Sequence, residues 1–186
     1  EATVAGTPAA ASPADGWRLF RDRFLAPDGR IVDSGNDGVS HSEGQGWGLI
    51  FAAAFNDRVA FDIILGWTRR VRKRRTDALH AWRYRPDATP AVADPNNATD
   101  GDLYIAQGLL MAQARWHHAP YRDLAVLIGR DILRLTLRHR AGHALLLPGA
   151  AGFESRDGMV LNPSYLVLPA FAALGRAMPA EAWPEI

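Results

Sequence analysis

The sequence contains no cysteine, which excludes disulfide bonds and a thiolate nucleophile. It also has no apolar run approaching the roughly 20 residues that a transmembrane helix needs. Alternating β-branched segments are almost absent, and no strand–helix alternation of the kind that builds a parallel sheet can be found. These absences leave a helical domain of 186 residues whose chemistry depends on oxygen and nitrogen groups.

Positive and negative charges are nearly balanced, with 21 basic and 20 acidic residues. The basic residues nevertheless form one run, made of Arg69, Arg70, Arg72, Lys73, Arg74 and Arg75. Such a run could contact nucleic acid, but it is also typical of a solvated helix end, where cations complement the helix dipole. Because no phosphate loop, zinc spacing or RNA-binding signature accompanies it, no nucleic-acid partner is predicted.

Residues 1–15 are small, rich in alanine and without apolar periodicity. This composition is typical of a disordered stretch that follows the cleavage site of a signal peptide. Export to the periplasm or the medium is therefore the expectation, and residues 16–186 are predicted to form the folded domain.

Apolar residues at spacings of three and four predict most of the chain to be helical. Trp17, Phe20 and Phe24 mark a first helix, and residues 43–55 mark a second. Further helices are predicted from Asn56–Asp57 to the basic run, from Asp102 to Trp116, around residues 121–135 and near residues 166–177. The three prolines of residues 76–101 exclude a regular helix there. The predicted fold class is all-α, with helical hairpins packed side by side.

Three loops carry residues suited to catalysis. The first, residues 41–48 (HSEGQGWG), places Glu43 in the first turn of a helix that Ser42 could cap. Glu43 could be no more than a favourable first-turn residue. Three surrounding glycines instead indicate that some group approaches the backbone closely.

The second loop, residues 94–102 (DPNNATDGD), concentrates three carboxylates. Calcium is one alternative, but the twelve-residue calcium loop with its terminal Glu is missing. A plain helix cap at Thr99 or Asp100 is another. The third loop, Asn162-Pro163-Ser164-Tyr165, could be only a turn before a helix.

Together these segments resemble glycoside hydrolase family 8. SEGQGWGL (42–49) is similar to the segment that bears the family's catalytic acid, and ATDGDLYIAQGLLMAQARW (98–116) is similar to its signature. The signature has Ser or Ala where this chain has Gly108. The segments at 28–33, 145–149, 152–153 and 162–165 also resemble the endoglucanases that accompany bacterial cellulose synthase.

The resemblance implies an (α/α)6 barrel and inverting hydrolysis of β-1,4-glucan, with neither cofactor nor metal. It assigns Glu43 as the general acid, Asp100 to distortion of the sugar at the cleavage site, and Tyr165 to a place near the attacking water. Trp82 is a candidate sugar-stacking platform or an ordinary core residue, and Asn162 a candidate substrate contact. Glu43 and Asp100 are therefore expected at the floor of one groove, lined by Tyr165 and Trp82.

The resemblance places the general base in the family's C-terminal half, beyond the end of this chain. The chain is accordingly expected to be the N-terminal portion of a catalytic domain, with Asp94, Asp102 and Glu154 as substitutes to be weighed. It should expose apolar flanks that a second copy or the missing half covers. Alternatives are a non-catalytic glucan-binding fragment, or a family 8 enzyme acting on chitosan, xylan or mixed-linkage glucan.

Overall fold

The computed structural model describes residues 12–72, 76–183 and 186. Its six helices are α1 Pro13–Phe24, α2 Ser42–Ala54, α3 Arg58–Arg72, α4 Thr99–Trp116, α5 Ala119–Thr136 and α6 Leu168–Ala177. The all-α prediction is confirmed. Helix α1 begins inside the segment 1–15, because Ser12 and Asp15 form a reciprocal capping box. Residues 1–11, and Lys73 to Arg75 of the basic run, lie outside the described residues.

Short antiparallel strands fasten the loops between the helices. Strand β1, Ser40–His41, pairs with β2, Arg83–Tyr84, and so joins the loop before α2 to the segment before α4. Strand β3, Leu137–Arg140, pairs with β4, His143–Leu146. The segment between α5 and α6 then ends in a 3-10 turn at Pro163–Tyr165. The strand β1 therefore leads directly into the N-terminal end of α2, and the segment after β4 leads into the N-terminal end of α6.

Helices α2 and α4 lie side by side and run in the same direction. Gly46 of α2 packs on Tyr104 of α4, and further along Gly108 of α4 packs on Leu49 of α2. The intervening α3 returns antiparallel, since Gln45 near the start of α2 donates to Thr68 near the end of α3 at 2.7 Å. This up-down-up path brings the first turns of α2 and α4 to the same end of the domain.

Two of the three glycines around Glu43, Gly46 and Gly48, are explained by this packing rather than by an approaching ligand, whereas a Cβ at Gly44 would make only an ordinary contact with Ile31 at 3.6 Å. A Cβ at position 46 would lie 3.0 Å from the Ile105 backbone N, and one at position 48 would lie 3.0 Å from Ile31 Cδ1. Glycine therefore allows the two parallel helices and the loop before α2 to approach more closely than side chains would permit.

Substituting Gly108 by alanine is expected to lower the free energy of unfolding by about 1–3 kcal/mol, because overpacking outweighs the gain in helix propensity. The added Cβ would stand 2.8 Å from Leu49 Cβ. Gly66 of α3 is the matched control, since a Cβ there meets nothing within 4 Å. Gly66→Ala should stabilise the chain by about 0.5–1 kcal/mol in the same denaturation experiment. Equal effects at both positions would contradict the close helix contact.

Several large apolar side chains are exposed on the surface of the domain. Val160, Leu161, Leu166 and Leu168 lie around the start of α6, and Leu168 is 66% exposed. Leu19 of α1 with Val59 and Ile63 of α3 are exposed as well. Trp47 of α2, Phe55 and Leu127 of α5 are exposed too, so exposed apolar side chains are not confined to the first and last helices. Among the described residues, no helix is both long and apolar enough to cross a membrane.

Candidate active site

Glu43 and Asp100 occupy equivalent places in the first turns of the parallel helices α2 and α4. Gly101 packs on Ser42, and a Cβ at position 101 would lie 2.9 Å from the Glu43 backbone N. The two helix N-termini therefore meet where the carboxyl groups stand. The positive ends of both helix dipoles favour negative charge at this place.

The two carboxyl groups differ in their surroundings. Glu43 is exposed, whereas Asp100 is only 6% exposed. Burial raises the pKa of Asp100 to about 6, and the neighbouring charges of Glu43 and Asp102 act in the same direction. The hydrogen bond from the Gly101 backbone N–H to Asp100 Oδ1, at 2.8 Å, opposes this rise. Asp100 thus titrates close to neutrality, under the influence of Glu43.

Tyr165 shares this electrostatic environment. Its ring is half-buried in the 3-10 turn before α6, and burial raises the pKa of its hydroxyl, followed by the charges of Asp100 and Glu43. The hydroxyl therefore stays protonated around neutrality and can donate a hydrogen bond. Tyr165 therefore lies close enough to Asp100 and Glu43 for both charges to act on its hydroxyl.

Tyr104 is a site residue that the sequence reasoning missed. Burial raises the pKa of its hydroxyl, again with contributions from Glu43 and Asp100. Its ring lies 4.7 Å from that of Trp47. Tyr104 follows Asp100 by four residues, as Trp47 follows Glu43, so each aromatic residue sits one turn below a carboxyl group. That spacing was visible in the sequence and could have indicated both rings.

Both capping predictions are wrong. His41 holds the N-cap position of α2 and makes no side-chain cap, and the buried Ser42 hydroxyl has no hydrogen-bond partner. Ala98 holds the N-cap position of α4, and Thr99 instead donates from its hydroxyl to the Leu147 carbonyl at 2.7 Å. Asp100 lies inside the first turn. The starts of α2 and α4 are thus held by tertiary contacts, and the Asp100 side chain does not cap α4.

Trp82 is half-buried and outside the buried core, so it is not the ordinary core residue that was the alternative. Its ring lies parallel to that of His41, 5.9 Å away, and its Nε1–H donates to Asp94 Oδ2 at 2.8 Å. The Trp82 carbonyl accepts from the Ser42 backbone N–H at 3.0 Å, directly before Glu43. The Trp82 backbone is therefore fixed to the start of α2.

Asn162 begins the turn that carries Tyr165. Its Oδ1 accepts from the backbone N–H and the hydroxyl of Ser164, at 3.1 and 2.8 Å. The exposed Asn162 also lines a cavity of about 420 Å³ next to the β3–β4 hairpin. Glu43 lines a separate cavity of about 440 Å³, whose aromatic walls are Phe20, Phe24, Trp47 and Phe51.

The three carboxylates weighed as a general base each have partners within the chain. Asp102 is fully buried and accepts from His80 and Asn97. Asp94 accepts from the Trp82 indole and the Asn96 backbone N–H, and Glu154 pairs with Arg138 at 2.8 Å.

The calcium alternative finds no support in the part of the chain that the structure describes. No group of three or more His, Asp or Glu side chains there could hold a metal ion. In the loop before α4, the oxygens of Asp94, Asn96, Asn97 and Asp102 accept hydrogen bonds from the chain itself. These bonds explain the concentration of polar residues in that loop.

The architecture is that of a helical glycosidase. A solved endoglucanase from Komagataeibacter sucrofermentans superimposes with a TM-score of 0.91 at 43% identity, over 94% of this chain and 55% of that one. The endo-beta-1,4-glucanase CMCax from Acetobacter xylinum gives a TM-score of 0.90 at 39% identity, with the same two coverages. Both likenesses place this chain in the (α/α)6 barrel architecture, of which it spans about half.

The chain belongs to the glycosyl hydrolases of family 8, whose family model matches residues 2–186. An endoglucanase from Cellulomonas uda is 42% identical over 167 residues, which cover 90% of this chain and 46% of that relative. The chain thus spans about half the length of the curated relatives it matches. The family predicted from the sequence motifs is confirmed.

Proposed function

We propose that this chain supplies the acid-bearing part of an endo-acting, inverting β-1,4-glucan hydrolase. The observation that carries the proposal is the pairing of Glu43 and Asp100 at two adjacent helix N-termini, in a chain of this family. Support for the substrate comes from relatives named as endoglucanases, one of them as an endo-beta-1,4-glucanase.

In the proposed reaction Glu43 donates its proton to the glycosidic oxygen as the bond from that oxygen to the anomeric carbon breaks. A water attacks the anomeric carbon from the opposite face, and a second carboxylate takes the proton from that water. Inverting enzymes hold the two carboxyl groups roughly 6.5–9.5 Å apart to admit the water. This step inverts the anomeric configuration and consumes one water per bond.

The other residues are assigned to binding and orientation. Asp100 accepts hydrogen bonds from the distorted sugar, and Tyr165 donates to or accepts from the attacking water. Trp82 offers an aromatic face to a further glucose unit, and Asn162 contacts the chain beyond it. The half-buried Trp82 ring and the protonated Tyr165 hydroxyl support these assignments.

We propose that the general base lies on a segment outside this chain. The engagement of Asp94, Asp102 and Glu154 supports this, because each carboxyl group already has donors. The exposed apolar side chains at Leu161, Leu166 and Leu168 offer the surface on which such a segment could pack. Export to the periplasm or medium and a connection to cellulose synthesis are further parts of the proposal, supported by the composition of residues 1–15 and by the motif resemblance.

The test is a hybrid enzyme in which this chain replaces the matching 167-residue stretch of the Cellulomonas uda endoglucanase. Reducing-sugar release from carboxymethylcellulose is measured for the hybrid and for the 186-residue chain alone. The hybrid is expected to hydrolyse the polymer, whereas the chain alone should show little or no turnover because it lacks a base. Xylan, chitosan and mixed-linkage glucan are assayed in parallel.

Each outcome decides something about the proposal. Normal turnover by the chain alone would show that one of its own carboxylates serves as base. A folded hybrid that binds cello-oligosaccharides without hydrolysing any substrate would favour the non-catalytic glucan-binding alternative. Faster hydrolysis of xylan or chitosan than of carboxymethylcellulose would reassign the substrate.

A further inference from the structure

The fully buried carboxyl group of Asp102 connects three segments around the candidate site. Its Oδ1 accepts from the His80 backbone N–H at 3.0 Å and lies 2.9 Å from His80 Nδ1. Its Oδ2 accepts from the Asn97 side-chain amide at 3.1 Å. A buried carboxyl group is costly unless its oxygens are bonded, and here three donors meet that requirement. Asp102, His80 and Asn97 are called the buried polar cluster below.

From this cluster the backbone of residues 80–82, held by hydrogen bonds at both ends, leads to the start of α2. His80 is followed two residues later by Trp82, whose backbone N–H donates to the Asn96 carbonyl at 2.9 Å. The Trp82 carbonyl in turn accepts from the Ser42 backbone N–H at 3.0 Å. Ser42 immediately precedes Glu43. The segment that carries Trp82 is thus held on one side by Asp102 and on the other by the helix that carries Glu43.

The cluster also fastens the loop beyond the β3–β4 hairpin. Asn97 Oδ1 accepts from the Ala150 backbone N–H at 2.8 Å, next to the Thr99 backbone N–H that donates to the Pro148 carbonyl. These contacts take the place of the side-chain cap that α4 lacks. Asp102 lies two residues after Asp100, so its side chain fixes the same helix turn that presents the candidate sugar-binding carboxyl group.

We propose that Asp102 is a positioning residue that, through His80 and Asn97, sets the places of Trp82 and the first turn of α2 for catalysis. The catalytic part of this inference depends on the proposed glycosidase function. Asp102 touches no substrate in this account and acts only through the backbone that it orders. A misplacement of about 1 Å in a catalytic group is enough to lower turnover about a hundredfold.

The first measurement is native-state hydrogen exchange of the 186-residue chain and of single variants. Asp102→Asn keeps the shape of the side chain but turns a donor toward Asn97, and His80→Ala removes the ring donor. In both variants the Ser42 and Trp82 amides should exchange about tenfold faster, as expected when a buried hydrogen bond is lost. His80→Asn, which can place an amide donor near the Nδ1 position, should retain most of the protection.

Two references separate positioning from general stability. The amide of Ile128, in the buried interior of α5, reports global opening, so it should exchange faster in both His80→Ala and Tyr121→Phe, since each variant loses a native hydrogen bond. Tyr121→Phe removes a buried hydroxyl donor to Asp62, near the other end of α4, and should not affect Ser42 or Trp82. If Asp102→Asn does not fold, the test rests on His80→Ala. In that variant Asp102 still accepts from the backbone N–H of residue 80 and from the Asn97 amide. Unchanged exchange at Ser42 and Trp82 in His80→Ala, or faster exchange of these two amides in Tyr121→Phe, would overturn the proposal.

The second measurement is kinetic and uses the hybrid enzyme. At a temperature well below unfolding, Asp102→Asn should lower kcat/KM about ten- to a hundredfold, whereas Tyr121→Phe should leave it unchanged. If the Ser42 and Trp82 amides exchange faster in Asp102→Asn while kcat/KM is unchanged, Asp102 has a structural role only, and the proposed positioning role is wrong. An inactive unmodified hybrid would count against the proposed function alone, since the exchange experiment does not depend on hydrolysis.

Discussion

Glu43→Gln in the hybrid enzyme is expected to reduce hydrolysis of carboxymethylcellulose about 10²–10⁴-fold, the range that general acid catalysis contributes. Glutamine preserves the shape of the side chain at the exposed first turn of α2 but has no proton to donate to the leaving oxygen. Because Glu43 is exposed, folding should be unaffected. Initial rates of reducing-sugar release and a thermal unfolding curve are the required measurements.

Glu154→Gln is the matched control for this substitution. Glu154 is also exposed, but it pairs with Arg138 on the β3–β4 side of the domain. An exposed ion pair contributes about 0–1 kcal/mol, so neither stability nor turnover should change much. Retention of most activity by Glu43→Gln, with loss in Glu154→Gln, would reverse the assignment of the acid.

Asp100→Asn is expected to stabilise the 186-residue chain at pH 8 by up to about 3 kcal/mol. The pKa of Asp100 is about 6 in the folded chain, against an ordinary value of 3.8. The folded state therefore binds more protons than the unfolded state between these values, and its stability falls as the pH rises from about 4 to 6. Asparagine carries no charge, so it removes this penalty, while near pH 3 it should change stability little.

Asp57→Asn provides a control of opposite sign. Burial acts to raise the pKa of Asp57, but bonds from the Ala60 backbone, the Trp17 indole and Arg21 outweigh it and lower that pKa. The ionised form of Asp57 therefore stabilises the fold, and that contribution is lost as the pH falls through the lowered pKa. Asp57→Asn should accordingly lower stability at neutral pH. Denaturation from pH 3 to 8 compares the two variants, and equal signs at pH 8 would contradict the electrostatic account.

The stabilising effect of Asp100→Asn has a functional counterpart. A buried carboxyl group that is held near another carboxyl group weakens the fold, and such groups concentrate at active sites. In the hybrid the same substitution should lower turnover, because an amide cannot replace a carboxylate as acceptor for the sugar hydroxyls. Gain of stability with loss of activity would identify Asp100 as a residue retained for function.

The helices could be predicted from the sequence because apolar spacing reflects local geometry. Residues such as Ile105, Leu109 and Ala112 mark one face of α4 whatever that face contacts. The catalytic candidates were found through short motifs, in which Glu43 and Asp100 lie close to glycines and small residues. The parallel packing of α2 on α4 then explains why several of those glycines are needed.

The capping residues and the buried polar cluster could not be predicted in the same way. Ser42 and Thr99 have the residue types of helix caps, yet their surroundings are set by Gly101 and Leu147, which are distant in sequence. Asp102 appeared to be one of several loop carboxylates, because its partners His80 and Asn97 come from other segments. Tertiary contacts of this kind override local preference and leave no periodic signal.

Glu43 and Asp100 form one electrostatic unit where α2 meets α4. The most direct test of this coupling is a ¹³C NMR titration of the Asp100 carboxyl group in the 186-residue chain and in Glu43→Gln. We expect a pKa of about 6 for Asp100 in the unmodified chain and a lower pKa once the charge of Glu43 is removed. A pKa near the ordinary 3.8 that does not respond to Glu43→Gln would contradict this coupling.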